Sequence, residues 1–227
     1  MLRRYRDGEA RYDGYLFDYS ATAVACLELY ETTYDACYIQ TALELMQLVV
    51  KNFSSESGAL YETAIDAEKL LVRQISGYDG VEPSGNSNAA LAFLKLSAYL
   101  IDPELTKKAE KIFLSFSDEL MEYGLNSAFM LQALHLYLGG LKEVAIIGKK
   151  NDSSTQSFLT TIRKGFFPNS VFAFSYDNEV EKNAKIIPLL EGRKLYQGKA
   201  VAYVCHQGTC LPPVKTSEEL VKLLSYE

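Results

Sequence analysis

The sequence predicts a mainly α fold: helical hairpins over residues 1–140, then a small α/β module over 141–227. Three observations carry this. Apolar residues keep three-and-four spacing through most of the first 140 positions. Gly139-Gly140 then closes the last helical run, and the runs beyond it are short and rich in β-branched residues.

From Tyr15 to about Thr33 the spacing of Leu16, Tyr19, Ala23, Cys26, Leu27 and Tyr30 is helical. Tyr38 to Phe53 repeats it with Ala42, Leu45, Met46, Val49 and Val50. The short link between the two predicts antiparallel packing. Ser54 to Gly58 breaks the pattern, and Ala59 to Thr63 reads as a short extended piece. A third helix is predicted over Leu91 to Ile101, and Asp102-Pro103 opens a fourth as cap and first helical residue. A fifth runs from about Ser127 to Leu138.

In the second half Glu143-Val144-Ala145-Ile146-Ile147-Gly148 and Ser170-Val171-Phe172-Ala173-Phe174 read as strands, with a helix over Ser153 to Lys164 between them. That order predicts a parallel pair with a right-handed crossover. Ala200 to Cys205 and Cys210 to Val214 read as a hairpin around Gln207-Gly208, and Thr216 with Glu219 forms a capping box for a final helix. The order is compatible with a thioredoxin-like arrangement. No Cys-x-x-Cys follows the first strand, so redox catalysis of that type is not supported.

Composition narrows the function classes. The chain has 227 residues, 48% hydrophobic and 23% charged, which is globular composition. A net charge of −6 argues against a nucleic-acid partner, and Asp7, Glu9 and Asp13 interrupt the cluster Arg3, Arg4, Arg6 and Arg11. No apolar run is long enough to span a bilayer, and no apolar signal core follows the charged N-terminus. Four cysteines are too few for a disulfide scaffold, so the cytoplasm is the default expectation.

The densest polar block is Asp79-Gly80-Val81-Glu82-Pro83-Ser84-Gly85-Asn86-Ser87-Asn88, which runs straight into an alanine-rich helix. Such a loop can build a binding site at a helix N-terminus. It can equally be structural, with Asp79 holding a turn, Ser84 or Ser87 capping the helix, and Asn86 or Asn88 bonding its first amides.

This block, together with Asp7-Gly8-Glu9-Ala10-Arg11, Gly14-Tyr15-Leu16-Phe17-Asp18-Tyr19, Glu143 to Gly148, and Ala202-Tyr203-Val204-Cys205 with Cys210, resembles one family. It is that of the large thioredoxin-domain proteins that includes bacterial YyaL-like and animal spermatogenesis-associated proteins. The resemblance covers nearly the whole chain and is to the C-terminal part of family members. It implies a partial (α/α) toroid similar to N-acylglucosamine 2-epimerases and six-hairpin glycosidases. The family's thioredoxin-like domain and the first part of its toroid are not visible. Two positions depart from the family pattern: Phe17 stands where a second aspartate precedes Asp18, and Arg73-Gln74-Ile75 stands where a lysine is usual.

The resemblance implies a pocket where loops feed the inner helices. There Asp18, Asp79 and Glu82 are the candidate catalytic carboxylates. Inverting sugar hydrolysis needs an acid and a base about 6.5–9.5 Å apart. Ser84, Asn86, Tyr15, Tyr19 and Tyr78 are the candidate substrate-binding residues, since tyrosines suit sugar stacking. Sixteen tyrosines and no tryptophan fit that use, and Tyr61 and Tyr123 are further candidates. An epimerase favours a histidine pair. The chain has only His135, set among leucines, and His206, in a hairpin turn. Cys205 and Cys210 can form a disulfide if their Cα atoms come within about 7 Å. With His206 they make half of a zinc site, and in a reducing compartment they pack as free thiols. Cys26 and Cys37 are expected in or near the core. No cofactor or metal is expected.

The expectation is therefore part of a carbohydrate-active or carbohydrate-binding toroid, glycosidase- or sugar-isomerase-like if it is an enzyme, with a small-molecule sugar as partner. The alternative is a non-catalytic partner-binding or structural module of a larger thioredoxin-domain protein. The partners it would take are a second copy of itself or the missing N-terminal part, with no nucleic acid and no membrane.

Overall fold

The computed structural model describes residues 1–68 and 70–225. Two strands come first, β1 (Leu2–Arg6) and β2 (Glu9–Asp13), followed by α1 (Leu16–Thr33) and α2 (Cys37–Phe53). After an irregular stretch come α3 (Gly85–Leu100), α4 (Pro103–Ser115), α5 (Ser117–Tyr123) and α6 (Ala128–Gly139). The remainder is β3 (Lys142–Gly148), α7 (Ser153–Lys164), β4 (Ser170–Tyr176), α8 (Val180–Ala184), β5 (Val201–His206), β6 (Thr209–Cys210) and α9 (Ser217–Ser225).

This overturns the mainly α toroid. The chain is an α/β mix with a two-stranded and a four-stranded sheet. The β1–β2 hairpin escapes the apolar pattern because all ten of its residues are exposed, so neither face carries an alternating signal. Asp7 and Gly8 sit at φ 54° and 81°, the pair of positive values that a two-residue hairpin loop needs.

The chain divides into two compact units. The first comprises Met1–Glu28, Gln40–Ser97 and Pro103–Leu138. Its centre is the start of α3, where every residue from Ser84 to Leu96 is buried. A helix buried on all sides shows no amphipathic stripe, and the polar Gly-Asn-Ser-Asn start hides its first turn. For that reason periodicity placed its beginning at Leu91, six residues late. Gly85 is obligatory here: a Cβ would lie 2.6 Å from Leu16 Cγ and 3.0 Å from the Phe17 backbone nitrogen. Around α3 the core draws on Leu16, Ala23 and Leu27, Met46, Val49 and Phe53, Ile112, Met130 and Ala133.

The second unit comprises Leu29–Ile39, Ala98–Asp102 and the chain from Gly139 onward. Its sheet has the order β4-β3-β5-β6. β3 and β4 are parallel, with α7 as the crossover that a parallel pair requires. β5 runs antiparallel to β3, and β6 antiparallel to β5. Asp152 caps α7 by accepting from the Thr155 amide. Val144, Ile146, Phe158, Phe172, Val204 and Leu220 form the core of this unit.

Tyrosines from the two short segments join that core. Tyr30 meets Tyr99 edge-on at 5.2 Å, and Tyr34 lies 5.2 Å from Phe174. Burial pushes the Tyr34 phenol up to about 12, and those of Tyr30 and Tyr99 well above the ordinary range.

Cys205 and Cys210 are direct partners across β5–β6, and their sulfurs are bonded, with Cα atoms 3.9 Å apart. The free-thiol reading fails because Gln207 and Gly208, at φ 49° and 77°, make a two-residue turn that sets the two cysteines opposite one another. Two smaller expectations also change. His135 is exposed on α6, and Cys37 is exposed at the start of α2. Among the described residues no helix is long and apolar enough to cross a membrane.

Candidate functional site

The polar residues of the first unit gather at three helix starts. Asp18 is the third residue of α1, and its carboxylate accepts from the Tyr15 amide at 2.7 Å. That is the backward half of a capping box. Its other neighbour is Arg3, with Nε 3.7 Å away, and the Arg3 guanidinium lies 4.3 Å over the Tyr15 ring.

Asp79 works harder. One carboxylate oxygen accepts from the Ser84 amide at 2.7 Å, closing the 79–84 turn. The other accepts from the amides of Phe129 and Met130 at 2.8 and 3.0 Å, the free donors of the first turn of α6. The Asp79 amide donates to the Asn126 carbonyl at 2.6 Å. A carboxylate at a helix N-terminus also meets the positive end of the helix dipole.

Asn86 is fully buried and fully used. Its Oδ1 accepts from the Leu60 amide at 2.8 Å, and its Nδ2 donates to the carbonyls of Leu60 and Ser76, each at 2.9 Å. It thus ties two irregular strands of chain, 59–63 and 74–76, to the first turn of α3. Ser84 caps the same helix, its hydroxyl accepting from the Ser87 amide at 3.0 Å and sharing a 2.7 Å bond with the Ser87 hydroxyl. Asn88 Nδ2 donates to the carbonyls of Pro83 and Ser84.

The remaining candidates differ in exposure. Glu82 is exposed, and Tyr78 and Tyr15 are open to solvent at 62% and 45%. Tyr19 is buried, its ring 5.4 Å from Phe53. Asp79, Ser84 and Asn86 therefore come together around α3, while Asp18 and Tyr15 stand at the start of α1. Arg73, at the position of the expected lysine, stacks 4.0 Å over Tyr61 and donates to the carbonyls of Thr63 and Asn52. It holds the irregular segment in place.

One feature of this unit was not singled out from the sequence. A cavity of about 200 Å³ is lined by Tyr12, Asp13, Tyr15, Thr63 and Glu68, with Ala67 and Leu70. The Thr63 hydroxyl is buried and has no hydrogen-bond partner. Buried hydroxyls are normally satisfied, and this one is closed off from solvent, so it does not itself open onto the cavity. The legible clue was the Tyr-Asp pair at the end of an arginine- and tyrosine-rich hairpin.

No family model matches the chain. Human spermatogenesis-associated protein 20 is 27% identical over 214 residues, covering 93% of this chain and 27% of that protein. The rat protein of the same name is 25% identical over the same span, and uncharacterized protein B0495.5 of Caenorhabditis elegans is 26% identical over 210 residues. The chain spans 27% of the length of the human and rat relatives and 28% of the nematode one. The similarity is sustained over nearly the whole of this chain and corresponds to about a quarter of the length of spermatogenesis-associated protein 20.

Proposed function

We propose that the chain is a non-hydrolytic carbohydrate-recognition module of a longer protein, binding one sugar ring in the cavity bordered by Tyr12, Tyr15, Thr63 and Glu68. The observation that carries this reading is a cavity that brings together two tyrosines and two carboxylates, Tyr12, Tyr15, Asp13 and Glu68. Its volume is below the usual 300–1,000 Å³ of drug-sized sites, which suits one ring better than an oligosaccharide. Tyrosines supply flat apolar faces, and carboxylates accept from paired sugar hydroxyls.

Binding is favoured over hydrolysis because two of the three candidate carboxylates have other work. Asp79 is engaged with three amides, and Asp18 with an amide and Arg3. A general acid or base must instead be free to reach the glycosidic oxygen or a water.

Ligand-observed NMR with a panel of monosaccharides tests the reading. Binding is expected to weaken about fivefold in Glu68→Ala, the worth of one hydrogen bond, and to be lost in Tyr15→Ala. Absence of binding by any sugar to the folded protein would sink the proposal.

A partner-binding reading draws on a different observation. Leu71, Val72 and Val81 are apolar and exposed, on one irregular segment. Sedimentation of the protein with and without Leu71→Glu tests whether this segment drives self-association. A concentration-independent monomer would remove that reading.

A further inference from the structure

The Cys205–Cys210 disulfide has a neighbour that a purely structural crosslink does not need. Arg193 points its Nη2 at both sulfurs, 3.4 Å from Cys205 Sγ and 3.7 Å from Cys210 Sγ. The same guanidinium lies 4.7 Å over the Tyr203 ring, and its Nε is buried without a hydrogen-bond partner. A neutral disulfide sulfur is a weak acceptor, so the cation is poorly satisfied while the bond is intact. A thiolate in the same place is a strong acceptor and an opposite charge. The Arg193 contact is therefore stronger with the bond broken than with it formed.

The two sulfurs are also unequal. Cys205 is 3% exposed, on a strand paired on both sides, whereas Cys210 is exposed on the two-residue edge strand β6.

We propose that Cys205–Cys210 is a thiol–disulfide exchange site for small monothiols, with Cys210 as the attacked sulfur and Arg193 as the positioning residue that receives the Cys205 thiolate. In the first step a thiolate RS⁻ attacks Cys210 Sγ. The Cys205–Cys210 bond breaks, its electron pair leaves on Cys205 beside Arg193, and Cys210 becomes the mixed disulfide with R. In the second step another RS⁻ attacks the sulfur of R. RSSR leaves, and Cys210 departs as a thiolate that takes a proton from water. Two electrons have passed from two monothiols to the cystine, and no further oxidant or reductant is required. Cys205 is the leaving group because attack falls on the exposed Cys210 sulfur and because a thiolate stabilised by the neighbouring Arg193 leaves faster.

The other ionisable groups around the pair are Glu143, which lies opposite Cys205 on β3, and His206, whose Nε2 is 3.0 Å from the Gly139 carbonyl. Burial holds the Glu143 carboxyl above its ordinary range, which lessens its competition for Arg193 in mildly acidic solution.

The test uses the full chain in glutathione buffers, with the thiols trapped by alkylation and counted by mass spectrometry. Glutathione is expected to reduce the disulfide without unfolding the protein. Arg193→Met should slow this by about 3- to 10-fold and move the alkylation of reduced Cys205 to higher pH. Cys205→Ser should accumulate the glutathione adduct on Cys210. If Arg193→Met does not fold, Arg193→Lys, which keeps a cation without the planar fork, should show an intermediate rate. Reduction no faster than global unfolding would overturn the proposal. So would a rate and an alkylation profile unchanged in a folded Arg193 variant. Because the site lies in the second unit, its failure leaves the sugar-binding reading untouched, and the reverse also holds.

Discussion

Asp79 concentrates three backbone hydrogen bonds on one side chain. Its carboxylate closes the 79–84 turn and supplies acceptors for α6, so Asp79→Ala leaves three amides to find new partners. The expected loss is about 3 kcal/mol of unfolding free energy, read from the urea midpoint at unchanged slope. Asn86→Ala should cost a similar amount, about 2–4 kcal/mol, since all three of its bonds are buried or partly buried. A loss under about 0.5 kcal/mol in either variant would mean that these bonds are replaced by water. Tyr34 runs the other way. Its hydroxyl is buried without a partner, so Tyr34→Phe should leave stability unchanged or raise it by up to about 1 kcal/mol at neutral pH. At this scale the sequence showed which residues were important but not what they bond. The Asp-Gly-x-Glu-Pro-Ser-Gly-Asn-Ser block stood out by its composition alone. That Asp79 would reach Phe129 and Met130, about fifty positions away, depends on where α6 packs.

Elements meet where a side chain is missing or where a charge is forbidden. Gly85→Ala drives a methyl group into Leu16 and the backbone of Phe17, where α1 and α3 both begin. The expected cost is about 1–3 kcal/mol, and a thermal melt indistinguishable from the parent would show that α1 yields freely. The tyrosines packed on β4 predict an alkaline limit. A phenol whose folded value lies above its unfolded one is stabilising only while neutral. Stability should therefore hold below about pH 10 and fall as the pH rises toward about 12, by about 1.4 kcal/mol per pH unit for each such group. Denaturant melts at stepped pH, with Tyr34→Phe giving a shallower fall, check this. Glu143 behaves as a buried carboxyl in the same sense. Its folded value is raised, so its contribution weakens as the pH climbs past the ordinary glutamate range, opposite to a salt-bridged acid. Glu143→Gln should flatten that part of the stability profile. The turn of the β5–β6 hairpin was legible in Gln207-Gly208. The strands of β1–β2 were not, because exposed residues on both faces leave no alternation to read.

For the whole molecule, helical periodicity, the Gly139-Gly140 stop and the later β-branched runs were enough to place most helices and both inner strands. These signals are local: they reflect which face of one element meets a core. The sequence also carried enough similarity to tie nearly all of the chain to spermatogenesis-associated protein 20. It did not reveal which short segments of the first half belong with the C-terminal sheet. The segments Leu29–Ile39 and Ala98–Asp102 count with the C-terminal sheet because Tyr30, Tyr34 and Tyr99 pack there, and a buried tyrosine reads the same in sequence whichever core receives it. Nor did it reveal the cavity beside Thr63 or the approach of Arg193 to the disulfide, which join residues dozens of positions apart in the first case and twelve or more in the second. Sequence by itself determined the local elements, the caps and the relationship to known proteins. Tertiary structure alone decided the exposed β1–β2 hairpin, the partners of each polar group and the location of empty space, because each depends on distances that no local pattern encodes.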